Sequence, residues 1–542
     1  MSGHDFENKK SRVEMNKPKD FSFNPFLFLF IIGFIALLMR IYCLPRGIPL
    51  DLDAIQYFSY AAKINHIGQF PTQDLANNGW PTFLSSFFFF LHSGNFIDYM
   101  DLQRYVSVVL SVLTIIPVYL LCRRFFAARY SLFGAILFAF DPKIITNSVL
   151  GVTEPLYIFL GIMMLYLFFG KNKGSVYCSF AIAALFALIR YEGLLLIVPL
   201  SVMFFVRFRK ESRIPLKLLL GISIFALTIL PMACVRIQTT GQDGLTSHLF
   251  AGSNYVSEFV IKGTPDDDYP ISVNEGQSKI PYFIFRGMDT LSKYLIWVTI
   301  PSLVLFVIVG SYLIIKDKRY KNIDYKIIMM ILFSITLLIP AFYAYMRGIH
   351  EVRYLFIILP IFYLVSLYAI KRLTNKFRKF GLVVILFTVG TFLVSLPFIE
   401  NNRIDYEHER EAFLISEYIV KTPKVINADP IDGNYITTAQ VVKKWPTILS
   451  PAEFDVTRIS TVGFNSLEDF IEKSKKDGLT HLVIDGKESR PSFLREVYYH
   501  ESNYPYLIKE YDSSDYNLRY HVKMYKIDYK IFDESKSIEK TN

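Results

Sequence analysis

Residues 21–53 read FSFNPFLFLFIIGFIALLMRIYCLPRGIPLDLD. Within it, positions 22–43 carry one charge, Arg40. As a helix rising 1.5 Å per residue, that stretch is about 33 Å long, enough to cross a hydrocarbon core of about 30 Å. Basic residues from Lys9 to Lys19 precede it. The apolar run is longer than the core of a signal peptide and has no small-residue cleavage site, so it reads as an anchor. Working outward, the same pattern recurs. Spans are expected at 22–43, 103–122, 128–140, 155–170, 176–190, 193–206, 215–235, 293–315, 327–346, 354–370 and 380–399. Apolar residues make up 52% of the 542-residue chain and charged residues only 20%. Soluble globular chains average about 25% charged, so soluble, disordered and fibrous classes are excluded.

The net charge of +10 joins two opposite parts. Residues 400–542 hold 20 Lys+Arg and 25 Asp+Glu, a tail of −5, so the rest is +15. Such a basic excess fits nucleic acid only if it is clustered. Here it sits in short loops between apolar runs, at Lys9 to Lys19, Arg123/Arg124/Arg129, Lys171/Lys173, Arg207 to Lys217, Lys316 to Lys326 and Lys371 to Lys379. These loops alternate with connections that hold far fewer basic residues. The asymmetry predicts a cytoplasmic N-terminus and, after eleven crossings, an extracytoplasmic tail in a multi-pass plasma-membrane protein. Nucleic acid is not an expected partner. The four cysteines (Cys43, Cys122, Cys178, Cys234) form no CxxC pair, and neither a disulfide framework nor a zinc site is expected.

The chain thus divides into a cytoplasmic tail (1–20), a transmembrane part (21–399), an extracytoplasmic α/β domain (400–535) and a disordered end (536–542). Two outer loops are long. The first, 44–102, contains the amphipathic PLDLDAIQYFSYAAKI (49–64) and an apolar stretch, Trp80 to Leu91, too short to span. The second, 236–292, is polar and carries Asp266-Asp267-Asp268, read as a solvated run. In the tail, helical patterns near 408–421 and 466–478 alternate with strand-like KVINA (424–428) and THLVID (480–485). YLIKEYD and YHVKMYKI suggest a further strand pair.

With this topology, ionisable residues collect on the outer side. Asp51 and Asp53 follow the first span. Asp141, Lys143, Asn147 and Glu154 lie in FDPKIITNSVLGVTEP (140–155). Arg190-Tyr191-Glu192 forms a tight turn, Arg236 follows the seventh span, and Arg347, His350, Glu351 and Arg353 fall between spans nine and ten. Charges near lipid are costly unless paired or facing water, so a collection of them marks a site. Each also has an ordinary structural reading: a helix-dipole role for Glu154 and interfacial anchoring for Arg190-Tyr191-Glu192 and Arg353-Tyr354.

At these residues the chain resembles the GT-C superfamily of membrane glycosyltransferases, in particular the branch of protein O-mannosyltransferases and aminoarabinose transferases. The resemblance rests on Asp51-Leu52-Asp53-Ala54 with Tyr57 and Ala61, on FDPKIITNSVLGVTEPLY (140–157), on Arg190-Tyr191-Glu192-Gly193, and on Arg353-Tyr354 with Pro360. It covers residues 20–400. Many relatives have adjacent acidic residues in the first loop, whereas Leu52 separates them here, leaving open which is the base. The WWDYG signature of oligosaccharyltransferases is absent, Trp445 lying in KKWPT, so transfer of a single sugar is expected over en bloc transfer.

The resemblance implies a polyprenyl- or dolichyl-phosphate sugar donor, a hexose by expectation, and an acceptor hydroxyl on a protein, glycan or lipid. A general base at Asp53, with Asp51 as positioning group or alternative base, suits attack on the anomeric carbon. Fixed cations suit the departing phosphate, and arginine binds its oxygens in pairs. Arg353, with Lys143, Arg190 and Arg236, is expected to do this. Glu154, Asn147, Tyr57, Glu192 and Tyr354 are expected to position sugar or acceptor. No cofactor is required, although Asp51, Asp53 and Glu154 have the oxygen chemistry for Mg²⁺ or Mn²⁺. The alternative class, a lipid-linked sugar flippase or transporter, would show charges near the membrane midplane and inverted repeats.

Overall fold

The computed structural model describes residues 24–50, 53–72, 75–248, 250, 279–299, 303–316, 325–377, 395–400, 456–459, 463–486, 490–516 and 521–539, with a few shorter pieces at 386, 390, 393, 414–415, 425–427, 461 and 518. Asp51, Leu52, the triple aspartate and most of the expected spans and helices at 380–399 and 408–421 lie outside these residues.

The opening span is α1, Pro25–Cys43. It starts where Asn24 accepts from the amide of Phe26 at 3.0 Å, with Pro25 in the first turn, which needs no amide. Its buried residues Ile32, Ala36 and Arg40 recur every four positions, while Phe26, Phe30 and Phe34 face outward. That is the stripe of a helix packed on one side and bathed in lipid on the other. Arg40 is fully buried, but its guanidinium donates to Ser111 Oγ and to the carbonyls of Ala36 and Ala139. It therefore pins α1 to its neighbours.

Two short helices follow, α2 (Asp53–Ile67) and α3 (Gly79–Phe88), where the sequence predicts an amphipathic segment and a non-spanning apolar stretch. Gly79 is needed for a close approach: a Cβ there would sit 2.4 Å from the carbonyl oxygen of Leu188. Next come α4 (Phe96–Leu113) and α5 (Ile115–Cys122), one bilayer-length element with Pro117 in its second part. The expected span began at 103; the helix begins seven residues earlier and brings Asp98 and Asp101 into it. The chain continues with α6 (Ala128–Ala139), α7 (Pro142–Ser148), α8 (Glu154–Phe168) and α9 (Lys173–Ile189). A 3-10 turn, Tyr191–Leu196, then leads into α10 (Ile197–Phe208).

Helix α11, Ile214–Thr240, ends at Gly241, whose φ of 77° only glycine adopts without strain. Helix α12 already begins at Lys279, so the expected loop 236–292 is shorter at both ends. The span expected at 293–315 is broken. Helix α12 ends at Thr299, α13 runs Val304–Lys316, and the two are bent by 104°. Then come α14 (Tyr325–Met346), a 3-10 segment (Val352–Ile358) and α15 (Leu359–Phe377). Among the described residues, six helices are long and apolar enough to cross a bilayer, or seven if the bent pair is one span. Helices α6, α8 and α9 are apolar but shorter. The helices share one apolar core.

The C-terminal part has its own core, with Phe470, Ile471, Leu482, Ile484, Val497 and Tyr525 at its centre. Strands β1 (Val425–Asn427) and β2 (Val456–Arg458) pair in parallel. β3 (His481–Asp485), β4 (Leu507–Asp512) and β5 (Val522–Ile527) form an antiparallel sheet ordered β3-β5-β4. Helices α16 (Leu467–Ser474), α17 (Ser492–Tyr499) and α18 (Tyr529–Glu539) accompany them. The strand-like and 466–478 helical patterns are where the sequence places them. β2, α17 and α18 were not foreseen, and α18 extends to 539, so the disordered end expected from 536 does not begin there.

Candidate functional site

The site begins with how Asp53 is held. It opens α2, where the helix dipole favours a carboxylate. The stretch before α2 is tied to α4. Arg104 donates to the carbonyls of Ile48 at 2.8 Å and Pro49 at 2.7 Å, and to Asp101 at 3.1 Å. Gln103 donates to the carbonyls of Ala54 at 3.0 Å and Gly151 at 2.7 Å. Both side chains are buried, so these carbonyls are satisfied without water and the start of α2 is fixed against α4 and the α7–α8 link.

Three elements then bring charges to Asp53. Arg353, from the 3-10 segment before α15, donates Nη2 to Asp53 Oδ2 at 2.8 Å. Its Nε lies 3.4 Å from Glu351 and 4.0 Å from Glu154, and its Nη1 has no protein partner among the described residues. Glu154, at the start of α8, is 3% exposed and also meets Arg190 Nη1 at 3.3 Å. Arg190 in turn donates to Glu192 at 3.2 Å and lies against the rings of Tyr157 and Tyr354, 5.5 and 5.1 Å from their centroids. Asp53 is 48% exposed, so the chain of charges runs from buried Glu154 to water.

Burial alone would lower the basicity of Arg190, but Glu192 and Glu154 outweigh it and hold the group well above its usual value. Tyr57, one turn after Asp53 on α2, has its phenol pushed well up by burial and then by the Asp53 carboxylate, so it remains a neutral hydrogen-bond donor. The cavity walled by Glu154, Tyr157, Arg190, Glu192, Arg353 and Tyr354 measures about 10 Å³, the room of a single water. Four carboxylates (Asp53, Glu154, Glu192, Glu351) face two guanidiniums here. No cluster of three or more metal-ligating side chains is present among the described residues.

Of the residues singled out from sequence, the structure brings together Asp53, Tyr57, Glu154, Arg190, Glu192, Arg353 and Tyr354. Lys143, Asn147 and Arg236 sit in other surroundings, and Asp51 lies outside the described residues. Lys143 is buried on α7, its ammonium 5.0 Å from the Phe398 ring centroid, and the adjacent Asp141 caps α7. Burial raises the Asp141 carboxyl and lowers the Lys143 amine. Asn147 is buried on the same short helix. Arg236 is fully buried at the end of α11, 3.4 Å from Tyr60 of α2, under a loop in which a Cβ on Gly244 (φ 71°) would sit 2.7 Å from its Nε. Neither cation lines the cavity. Sequence reasoning missed Gln103 and Arg104, and named Glu351 among the outer charges without giving it a role. The signal for the first two is a polar pair at the start of an otherwise apolar helix.

Residues 96–234 match the family model of dolichyl-phosphate-mannose-protein mannosyltransferases. No curated protein sequence matches the chain significantly. Among solved structures, the chain is similar to the archaeal oligosaccharyltransferase AglB from Archaeoglobus fulgidus, in complex with an inhibitory peptide and a dolichol-phosphate. The identity is 13% over 90% of this chain and 72% of that one, with a TM-score of 0.55. ArnT from Cupriavidus metallidurans, bound to undecaprenyl phosphate, shares 10% identity over 92% of this chain and 98% of that one, with a TM-score of 0.55. The arabinofuranosyltransferase AftD from Mycobacteria shares 14% over 92% and 40%, with a TM-score of 0.50. At such identities what the chain shares with these proteins is the fold.

Proposed function

We propose that the protein is an integral-membrane glycosyltransferase that moves one sugar, a hexose, from a polyprenyl phosphate to an acceptor hydroxyl on the extracytoplasmic side, with inversion. The observation that carries this reading is Arg353 held 2.8 Å from Asp53, a cation with an open Nη1 beside a half-exposed carboxylate. The polyprenyl class of donor is supported by the matched mannosyltransferase family and by the dolichol-phosphate and undecaprenyl phosphate in the two similar structures.

In this reading the acceptor hydroxyl gives its proton to Asp53 as its oxygen attacks the anomeric carbon. The bond from that carbon to the phosphate oxygen breaks, and the polyprenyl phosphate leaves with the electron pair. Arg353 meets the charge that grows on the phosphate. One displacement inverts the anomeric centre, and because phosphate is a good leaving group no second carboxylic acid is needed. Both guanidiniums lie on the Oε1 side of Glu154, Arg190 at 3.3 Å and Arg353 at 4.0 Å, while the Thr153 hydroxyl donates to Oε2, so the role of Glu154 is to orient the guanidiniums. Tyr57, Glu192 and Tyr354 shape the space for sugar or acceptor. Asp51, two residues before Asp53, is the alternative base.

The test is consumption of polyprenyl-phosphate hexose by reconstituted protein supplied with a membrane extract of acceptors. Asp53→Asn is expected to lose about 10²–10⁴ in turnover, the usual contribution of a general base. Arg353→Ala is expected to lose about as much. Turnover that survives Asp53→Asn moves the base to Asp51. Movement of the intact lipid-linked sugar between leaflets, with no transfer, would replace this reading with a flippase.

A further inference from the structure

Three arms of the site are anchored on one wall built from α3 and α4. Ala54 follows Asp53, Gly151 lies three residues before Glu154, and Leu188 lies two residues before Arg190. Gln103 of α4 donates one amide nitrogen to two of these segments, to the carbonyls of Ala54 at 3.0 Å and Gly151 at 2.7 Å. Trp80 of α3 donates Nε1 to the same Gly151 carbonyl at 3.2 Å. Gly79, beside Trp80, packs on the carbonyl of Leu188 so closely that a Cβ would not fit. Gly151 has a φ of 76°, and a Cβ there would sit 3.2 Å from Gln103 Cγ and from Leu50 Cδ2, so glycine lets the link come this near. Gln103 and Trp80 are fully buried, which shields these bonds from solvent.

Stability alone does not account for Gln103. Its Oε1 is buried without a hydrogen-bond partner among the described residues, and an orphaned acceptor works against folding. Exchanging Oε1 with Nε2 would aim that oxygen at two carbonyls, so the network fixes the amide orientation. Neither carbonyl needs Gln103 as its sole partner. Gly151 has Trp80, and Ala54, inside α2, has the helical amide four residues on. What the amide adds is a fixed distance between two segments far apart in the chain. Those segments carry Asp53 and Glu154, which reach the same guanidinium, that of Arg353, at 2.8 and 4.0 Å.

We propose that Gln103 is a positioning residue: by tying Ala54 to Gly151 it sets where the Asp53 carboxylate stands relative to Glu154 and Arg353, and hence to the acceptor hydroxyl. It touches neither substrate nor the reacting atoms and acts through Asp53. The role rests on the glycosyl-transfer reading of this site. In that displacement a proton passes from the acceptor hydroxyl to Asp53, and misplacing a reacting group by about 1 Å costs about 10²-fold.

The test follows a single turnover of polyprenyl-phosphate hexose by excess full-length protein in lipid, with the membrane extract as acceptor. The rate constant then reports on each active molecule, and the amplitude reports how many are active. Gln103→Met, close to glutamine in length, is expected to lower the rate constant by about 10- to 100-fold. The amplitude should match the wild type, and Tm should stay within about 2 °C of it. A lower amplitude or Tm with an unchanged rate constant makes the role structural and overturns the proposal. Ser111→Ala, about two turns further along α4, removes the acceptor of Arg40 Nε and is the comparison. There Tm should fall while the rate constant stays within about twofold. An equal loss of rate in Ser111→Ala means that any disturbance of α4 slows transfer, and it too overturns the proposal. Added to Asp53→Asn, Gln103→Met should slow the residual rate by no more than about twofold, since both act at one group. Full additivity, or Asp53→Asn at the wild-type rate, removes the route through Asp53. A wild type that makes no product overturns the glycosyl-transfer reading and this role together, whereas turnover by the wild type matched by Gln103→Met overturns only the role of Gln103.

Discussion

Arg353 is shared among Asp53, Glu154 and Glu351, and that sharing governs what single substitutions do. The contact with Asp53 competes with any phosphate for the same guanidinium. Asp53→Asn should therefore have two opposite effects. Turnover falls, as argued above, while affinity for the phosphate of undecaprenyl phosphate rises. Because Asp53 is half-exposed, its pair with Arg353 contributes about 1 kcal/mol or less, so the gain is at most about fivefold. Equilibrium binding of undecaprenyl phosphate to wild type and variant checks this. Lost turnover with unchanged affinity would separate the base from the ion pair. Glu154→Gln should instead act on stability, on the order of 2–3 kcal/mol, since Arg190 keeps Glu192 but loses one buried partner. Denaturant unfolding of the reconstituted protein reads that loss.

At the scale of elements, the site depends on helices that come unusually close. A Cβ on Gly310 of α13 would sit 2.2 Å from the carbonyl oxygen of Val365 on α15. Gly310→Ala must push the two helices apart and should cost roughly 1–3 kcal/mol, the range of overpacking in a filled core. Gly94, which has open space around it, serves as the control, and Gly94→Ala should be near neutral. Thermal unfolding of both variants tests the contrast. The α/β unit offers a pH-dependent case. Glu501 accepts from Tyr525 at 2.7 Å and from Lys509 at 2.9 Å, and these hold its carboxyl at about 2 against an ordinary 4.5. A depressed carboxyl contributes its stability fully above the unfolded value. That contribution fades as pH falls from about 4.5 and is gone below about 2. Glu501→Gln should flatten the stability profile across that window and leave it unchanged in shape above pH 5.

At the scale of the whole molecule, alternation of basic loops predicts that residues 400–542 stand outside the cell. Protease added to intact cells should remove this unit and spare the N-terminal region; a tail protected until the membrane is opened would reverse the orientation and with it the side on which transfer is proposed.

What the sequence determined by itself is the class of molecule and the kind of chemistry. Apolar runs of bilayer length admit few structures, because a backbone in lipid must satisfy its own hydrogen bonds and forms helices to do so. Strand patterns such as THLVID and YHVKMYKI were equally legible, since half-buried strands alternate or run apolar over a few residues. Asp53, Glu154, Arg190 and Arg353 stood out as charges where charges are costly. Tertiary structure alone decided which of them meet. Lys143 and Arg236 had the same credentials as Arg353, yet each is buried in another contact, with Phe398 and with Tyr60. Nor did the sequence mark Gln103 and Arg104, whose importance lies in carbonyls about 50 residues away. The break between α12 and α13 was hidden for a related reason: residues 293–315 are apolar on both sides of it, and hydrophobic length is blind to direction. A helix reports its own period and polarity, whereas the partner of a side chain is set by how separate helices pack.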